Sequence, residues 1–185
     1  RLPHAGRGKA AHRMSLPCMS YDDDLQWHKI LLSAIALRMQ PKCYLELGLW
    51  YAPAMRELAS NCAEMHGVDC QHFPEFVPSN ATIHSMTTNE FFAGPGKSIT
   101  APDLVFVDAD HRSKQVLTDL HNVADICADN CIVVMHDTFP GGPEYTVEGH
   151  CADSYLVPDM IPWEHVTLPF PPGVTICRMK PRSLV

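Results

Sequence analysis

The sequence predicts a doubly wound α/β fold built on a mostly parallel sheet. Two observations carry that reading. Short apolar runs alternate with helical patterns through most of the chain. The runs lack strict polar–apolar alternation, as strands covered on both faces do.

The first element is a helix in "YDDDLQWHKILLSAIALRMQP". Asp22 to Asp24 supply a cap and negative charge where a helix begins, and Pro41 stops it. Cys43–Leu47 reads as a strand and Pro53–Cys62 as a helix, with Pro53 suited to its first turn. Met65–Asp69 and Ala81–Ser85 are strands, followed by a helical turn near Thr88–Phe92. "DLVFVD" is a strand. Arg112–Cys127 is a helix with Val116, Leu117, Leu120, Val123 and Ala124 along one face, and "CIVVM" is the next strand. The Gly- and Pro-rich stretch from Phe139 to Pro162 has one short helix near Ala152–Leu156. "EHVTLPF" and "GVTICRM" flank "PPG", which predicts a closing antiparallel hairpin and seven strands in all.

The chain has 185 residues, 46% of them hydrophobic, enough for one domain with its own core. No apolar run approaches the roughly 20 residues of a membrane span, and no secretory signal is visible. Eight cysteines without a C-x-x-C pair read as reduced, mostly buried thiols, which implies a cytoplasmic location. Residues 1–20 hold four of the 14 cations and no acid, leaving 10 cations against 21 acids in the remainder. The reading is a flexible basic arm over 1–20 and a single acidic domain over 21–185. Such a body repels nucleic acid and anionic lipid. A small molecule is the expected partner, with self-association left open.

The residues just past the strands are Glu46 and Gly48, then Asp69, then Met86 to Thr88, then Asp108, Asp110 and His111, then His136 and Asp137. Carboxylates at most strand ends disfavour a phosphate cradle. They suit a ligand with hydroxyls, an amino group and positive charge. Asp69 lies 21 residues beyond Gly48, near the spacing at which an acid receives a ribose hydroxyl. The loop lacks the second and third glycines that a nicotinamide dinucleotide's pyrophosphate needs.

The segments "YLELG", "HGVD", "DLVFVDADH" and "CIVVMHDT", in that order, resemble the class I S-adenosylmethionine-dependent methyltransferases. The likeness is to the small bacterial-type O-methyltransferases and their caffeoyl-CoA and catechol relatives, and "VTLPFPPGVTICR" resembles the family's last strands. It implies a Rossmann-like methyltransferase fold, S-adenosylmethionine as cofactor and O-methylation of a small hydroxylated molecule. It also implies that Glu46 and Gly48 face the methionine moiety, with Leu49 and Trp50 as loop backbone. Asp69 would bind the ribose, Met86 and Thr87 would border the adenine, and Asp108 would lie beside the sulfonium.

Two departures stand out. Leu49, Trp50, Tyr51 and Ala52 replace small residues, and the two aromatics can fold outward, cover the cofactor or fill its pocket. Met86 stands where relatives place an acid. Deprotonation of the acceptor has two routes, a divalent metal on Asp108 and Asp137 or a histidine base, His111 or His136. The other histidines, including His28, His66, His84 and His165, show no ligand spacing and are expected to be solvated or structural. The rival reading is a catalytically inactive scaffold that keeps the fold.

Overall fold

The computed structural model describes residues 27–71 and 73–179. The basic arm and the Asp22–Asp24 cap lie outside them. Helix α1 spans Trp27–Met39 and leads into strand β1, Cys43–Leu47. Helix α2, Pro53–Leu58, continues as a 3-10 turn, Ala59–Asn61, so the helix expected to reach Cys62 tightens one turn early. Strands β2, Glu64–Asp69, and β3, Ala81–Ser85, follow. Helix α3 is Thr88–Ala93, β4 is Leu104–Val107, α4 is Ser113–Ile126 and β5 is Ile132–His136. The last strands are β6, Glu164–Leu168, and β7, Val174–Arg178. The short helix expected near Ala152 is instead a 3-10 segment, Ser154–Met160, interrupted by Pro158.

The seven strands form one sheet in the order β3-β2-β1-β4-β5-β7-β6. The first five are parallel, and β7 runs antiparallel to both β5 and β6. Order reverses between β1 and β4, which pair directly, Leu47 opposite Val107. That switch point is where a doubly wound sheet opens a ligand crevice.

Two apolar layers cover the sheet. One gathers Leu45, Leu47, Val105 and Val133 with Val116, Leu120 and Val123 of α4. The other gathers Tyr44, Phe106 and Val134 with Leu32 and Ala36 of α1 and Met55 and Leu58 of α2. Every residue of β1 and β4 is buried, which is why neither strand shows alternation. Helix α3 starts on a capping box, with the Thr87 side chain accepting from Glu90 N–H and Glu90 accepting from Thr87 N–H.

Candidate active site

The loop after β1 takes the left-handed backbone three times, at Gly48 (φ 87°), Trp50 (φ 52°) and Ala52 (φ 53°). Only the first is a glycine. A Cβ at Gly48 would overlap the carbonyl of Asp108, so the loops after β1 and β4 touch backbone to backbone there. Trp50 and Ala52 hold a geometry that costs an ordinary residue about 1–2 kcal/mol, so other contacts must enforce it.

Asp69 supplies them. Its Oδ2 accepts from the N–H groups of Leu49 at 2.9 Å and Trp50 at 3.2 Å, while Oδ1 accepts from Gln71 at 2.7 Å. The acid at the end of β2 thus ties down the β1 loop. Leu49 adds its side chain, fully buried against Gly67, where a Cβ would come within 2.6 Å of Leu49 Cδ2. Trp50 and Tyr51 turn outward, 64% and 54% exposed, with their rings edge to face. Their exposure excludes the pocket-filling placement.

Glu46 sits on β1 beside Tyr44. It is buried, its Oε2 accepts from the Tyr44 hydroxyl at 2.8 Å, and burial pushes its carboxyl up to about 8 despite that bond. Met86 packs against the core beside α3, and the Thr87 hydroxyl caps that helix.

The ends of β4 and β5 bring four residues together. His136 Nδ1 lies 3.2 Å from Asp108 Oδ1 and 3.5 Å from Asp137 Oδ1. His111 Nε2 lies 3.1 Å from Asp137 Oδ2 and 3.6 Å from Asp108 Oδ1, and its Nδ1–H donates to the His150 carbonyl. Consecutive strand residues normally face opposite ways. Here Asp137 adopts φ 58°, a conformation Asp tolerates, and this turns its carboxylate to the same cluster as His136. Ser154 Oγ–H secures the turn by donating to the Asp137 carbonyl at 2.7 Å, and Cys151 Sγ lies 3.5 Å from Asp137 Oδ1.

The charges follow from this packing. Burial opposes a charge on His136, but the carboxylates of Asp108 and Asp137 outweigh it and raise the ring to about 10. His111 is raised to about 9, its burial outweighed by the same two acids. Burial also opposes the Asp108 charge, yet the two imidazoles hold its carboxyl far below the ordinary range. The packing therefore favours the charged forms of His111, His136 and Asp108 together.

The start of α1 closes the other side. The His28 ring lies 4.5 Å from that of His136 and stacks on Phe106 at 5.7 Å. Burial, then the His136 charge, lower His28 to about 4, so it is neutral. Among the described residues, Trp27 Nε1, His28 Nδ1 and His136 Nε2 are all buried without a hydrogen-bond partner. Sequence spacing gave no sign of His28, because only the packing of α1 onto the sheet brings it there.

A metal fits the donors on one side of this cluster. One ligand atom each of Asp108, His111 and Asp137 lies within 4.8 Å of the others. Two carboxylates and an imidazole suit a borderline ion such as manganese or zinc better than magnesium.

A family model described as "Methyltransferase domain" matches residues 31–138. Among solved structures, cofactor-bound Rv0187 from MTB is 14% identical with a TM-score of 0.68, covering 92% of this chain and 84% of its own. The O-methyltransferase TomG from Streptomyces achromogenes, in complex with SAM, is 14% identical with a TM-score of 0.64, covering 83% and 80%. An O-methyltransferase from Bacillus cereus, in complex with SAH, is 9% identical with a TM-score of 0.64, covering 84% and 81%. At these identities the likeness is one of fold. No curated protein matches. The matched span runs from within α1 to just past β5, taking in the Gly48 loop, Asp69, Asp108, His111, His136 and Asp137. It covers more than half of the chain, which therefore belongs to the methyltransferase-domain family.

Proposed function

We propose that the protein is an S-adenosylmethionine-dependent O-methyltransferase of a small hydroxylated molecule, carried by a single domain. The observation that carries this reading is the Asp108–His111–His136–Asp137 cluster beside the Gly48 loop at the switch point of the sheet. The SAM and SAH complexes of the structural relatives support the choice of cofactor.

The outward Trp50 and Tyr51 leave the cofactor side of the loop unplugged, so the residues present fit that group. Backbone at Gly48, Leu49 and Trp50 would hold it, with Asp69 fixing their geometry, Asp108 at the cationic centre, and Met86 and Thr87 at the base. Glu46, buried on β1 and bonded to Tyr44, would face the methionine moiety. When bound, S-adenosylmethionine supplies an electrophilic methyl group on a sulfonium.

The acceptor belongs on the α1 side, where Trp27 Nε1, His28 Nδ1 and His136 Nε2 have unmet hydrogen-bonding capacity. Hydroxyls satisfy such groups. His111 and His136, held protonated, stabilise the acceptor oxygen as its proton leaves. Neutral His28 can accept a hydrogen bond from the acceptor hydroxyl, but a ring lowered to about 4 is too weak a base to keep the proton, which leaves to solvent. A divalent ion on Asp108, His111 and Asp137 would acidify the acceptor hydroxyl instead. The described cysteines are all free, six of the seven buried, which supports a reducing, cytoplasmic setting. Among the described residues no helix is long and apolar enough to cross a membrane.

The test is to incubate the protein with S-adenosylmethionine and a panel of hydroxylated acceptors, with and without chelator, and measure S-adenosylhomocysteine by mass spectrometry. Turnover that falls at least about 100-fold in the Asp108→Asn variant is expected. Turnover equal to the parent's in that variant removes Asp108 from the chemistry. Cofactor binding without turnover on any acceptor favours the scaffold reading.

A further inference from the structure

A second group of chemistry-bearing side chains lies at the opposite, amino-terminal ends of the strands. Cys43 opens β1, Glu64 opens β2, and the two are register partners. His66 stands two residues beyond Glu64, so both side chains leave the same face of β2. One ligand atom from each of the three falls within 4.8 Å of the others.

Cys43 is fully buried, the His66 side chain is 8% exposed, and the Glu64 side chain is 42% exposed. The cluster thus has a closed side made of sulfur and nitrogen and an open side made of oxygen. His66 Nε2 faces Glu64 Oε1 at 2.9 Å, and its Nδ1 meets His84 Nε2 at 3.1 Å. A ring tied at Nδ1 by a neighbour on β3 presents Nε2 in a fixed direction. That is how histidine ligands of metals are oriented by the residues behind them.

We propose that Cys43, Glu64 and His66 form a binding site for a borderline divalent cation such as zinc, separate from the methyl-transfer cluster. Thiolate, imidazole and carboxylate together are a zinc-type donor set, and the thiolate disfavours magnesium and calcium. Bonds of about 2.0–2.3 Å require only small side-chain adjustments from the present spread. On binding, the ion replaces the Cys43 thiol proton and any proton on His66 Nε2, and these leave to solvent. His66 Nδ1–H then donates to His84. The fourth position opens on the Glu64 side, where water reaches it. Three ligands on β1 and β2, backed by β3, make the ion a staple across this edge of the sheet.

Cobalt(II) is the probe, added to the chelator-stripped full chain. The expected result is a thiolate-to-cobalt charge-transfer band in the near ultraviolet, displaced by zinc, lost in Cys43→Ser and kept in Cys151→Ser. The second substitution separates this site from the Asp137 cluster, where Cys151 is the nearby sulfur. Glu64→Ala, at a half-exposed position, is expected to fold and to weaken cobalt binding at least about tenfold. No thiolate band in the parent, or a band that survives Cys43→Ser or disappears in Cys151→Ser, overturns the site. If Cys43→Ser fails to fold, the Glu64→Ala affinity decides: an undiminished value overturns it.

Discussion

Gly48 and Asp108 meet backbone to backbone, with no room for a side-chain carbon between the Gly48 Cα and the Asp108 carbonyl. The contact locks the β1 loop to the strand end that carries the acid. In Gly48→Ala the left-handed backbone costs about 1–2 kcal/mol, and displacing the Asp108 segment adds about 1–3 kcal/mol. Denaturant unfolding is expected to show a loss of that combined size, together with weakened cofactor binding. A variant as stable as the parent would mean the two loops are not in contact.

Asp69→Ala strips the acceptor from the N–H groups of Leu49, Trp50 and Gln71. A loss of about 1–3 kcal/mol is expected in the same unfolding experiment. Titration with S-adenosylmethionine should show a parallel loss of affinity, because the residue shapes the loop and, on the proposed assignment, would offer an oxygen to the ribose. Undiminished affinity would remove Asp69 from the site.

Trp50→Gly replaces an exposed ring at φ 52° with the residue suited to that backbone. Relief of about 1–2 kcal/mol is partly offset by the greater freedom of glycine in the unfolded chain, about 0.5–1 kcal/mol. The expected outcome is a melting temperature equal to or slightly above the parent's, with cofactor affinity kept. A fall of several degrees would show that the ring holds the loop.

The imidazole–carboxylate cluster gives stability a pH signature. His111 and His136 are raised to about 9 and about 10, above the ordinary value of 6.5. Their contribution is therefore full below about 6.5 and is lost as pH rises through 9 to 10. Asp108, held low, contributes above the ordinary carboxylate range and loses its share in acid. Unfolding free energies of the metal-free protein should fall between pH 7 and pH 10. Asp108→Asn should be less stable at pH 7 and show a shallower fall, because the imidazoles no longer gain as much from the native state. An equal slope in both proteins would rule out the Asp108–His136 pairing.

The parallel strands, their order of appearance and the closing hairpin were all readable from apolar runs and turn residues. So was the meeting of Asp108, His111, His136 and Asp137, because strand ends in this architecture converge whatever the loops do. Other residues that meet across elements were not readable. His66 and His84 sit on neighbouring strands, 18 residues apart in sequence, and His28 reaches His136 only through helix packing. Nor does sequence reveal that Asp137 turns left-handed, which is what unites it with His136. Glu46 was readable as an acid near the end of β1, but its buried bond to Tyr44, two residues away on the same face, was not.

The most direct measurement is calorimetric titration of the purified protein with S-adenosylmethionine and S-adenosylhomocysteine, alongside the Asp69→Ala variant. Micromolar binding to the parent, weakened in the variant, is the expected result. Failure of the folded parent to bind either compound would contradict the methyltransferase assignment of this site and leave the scaffold reading in its place.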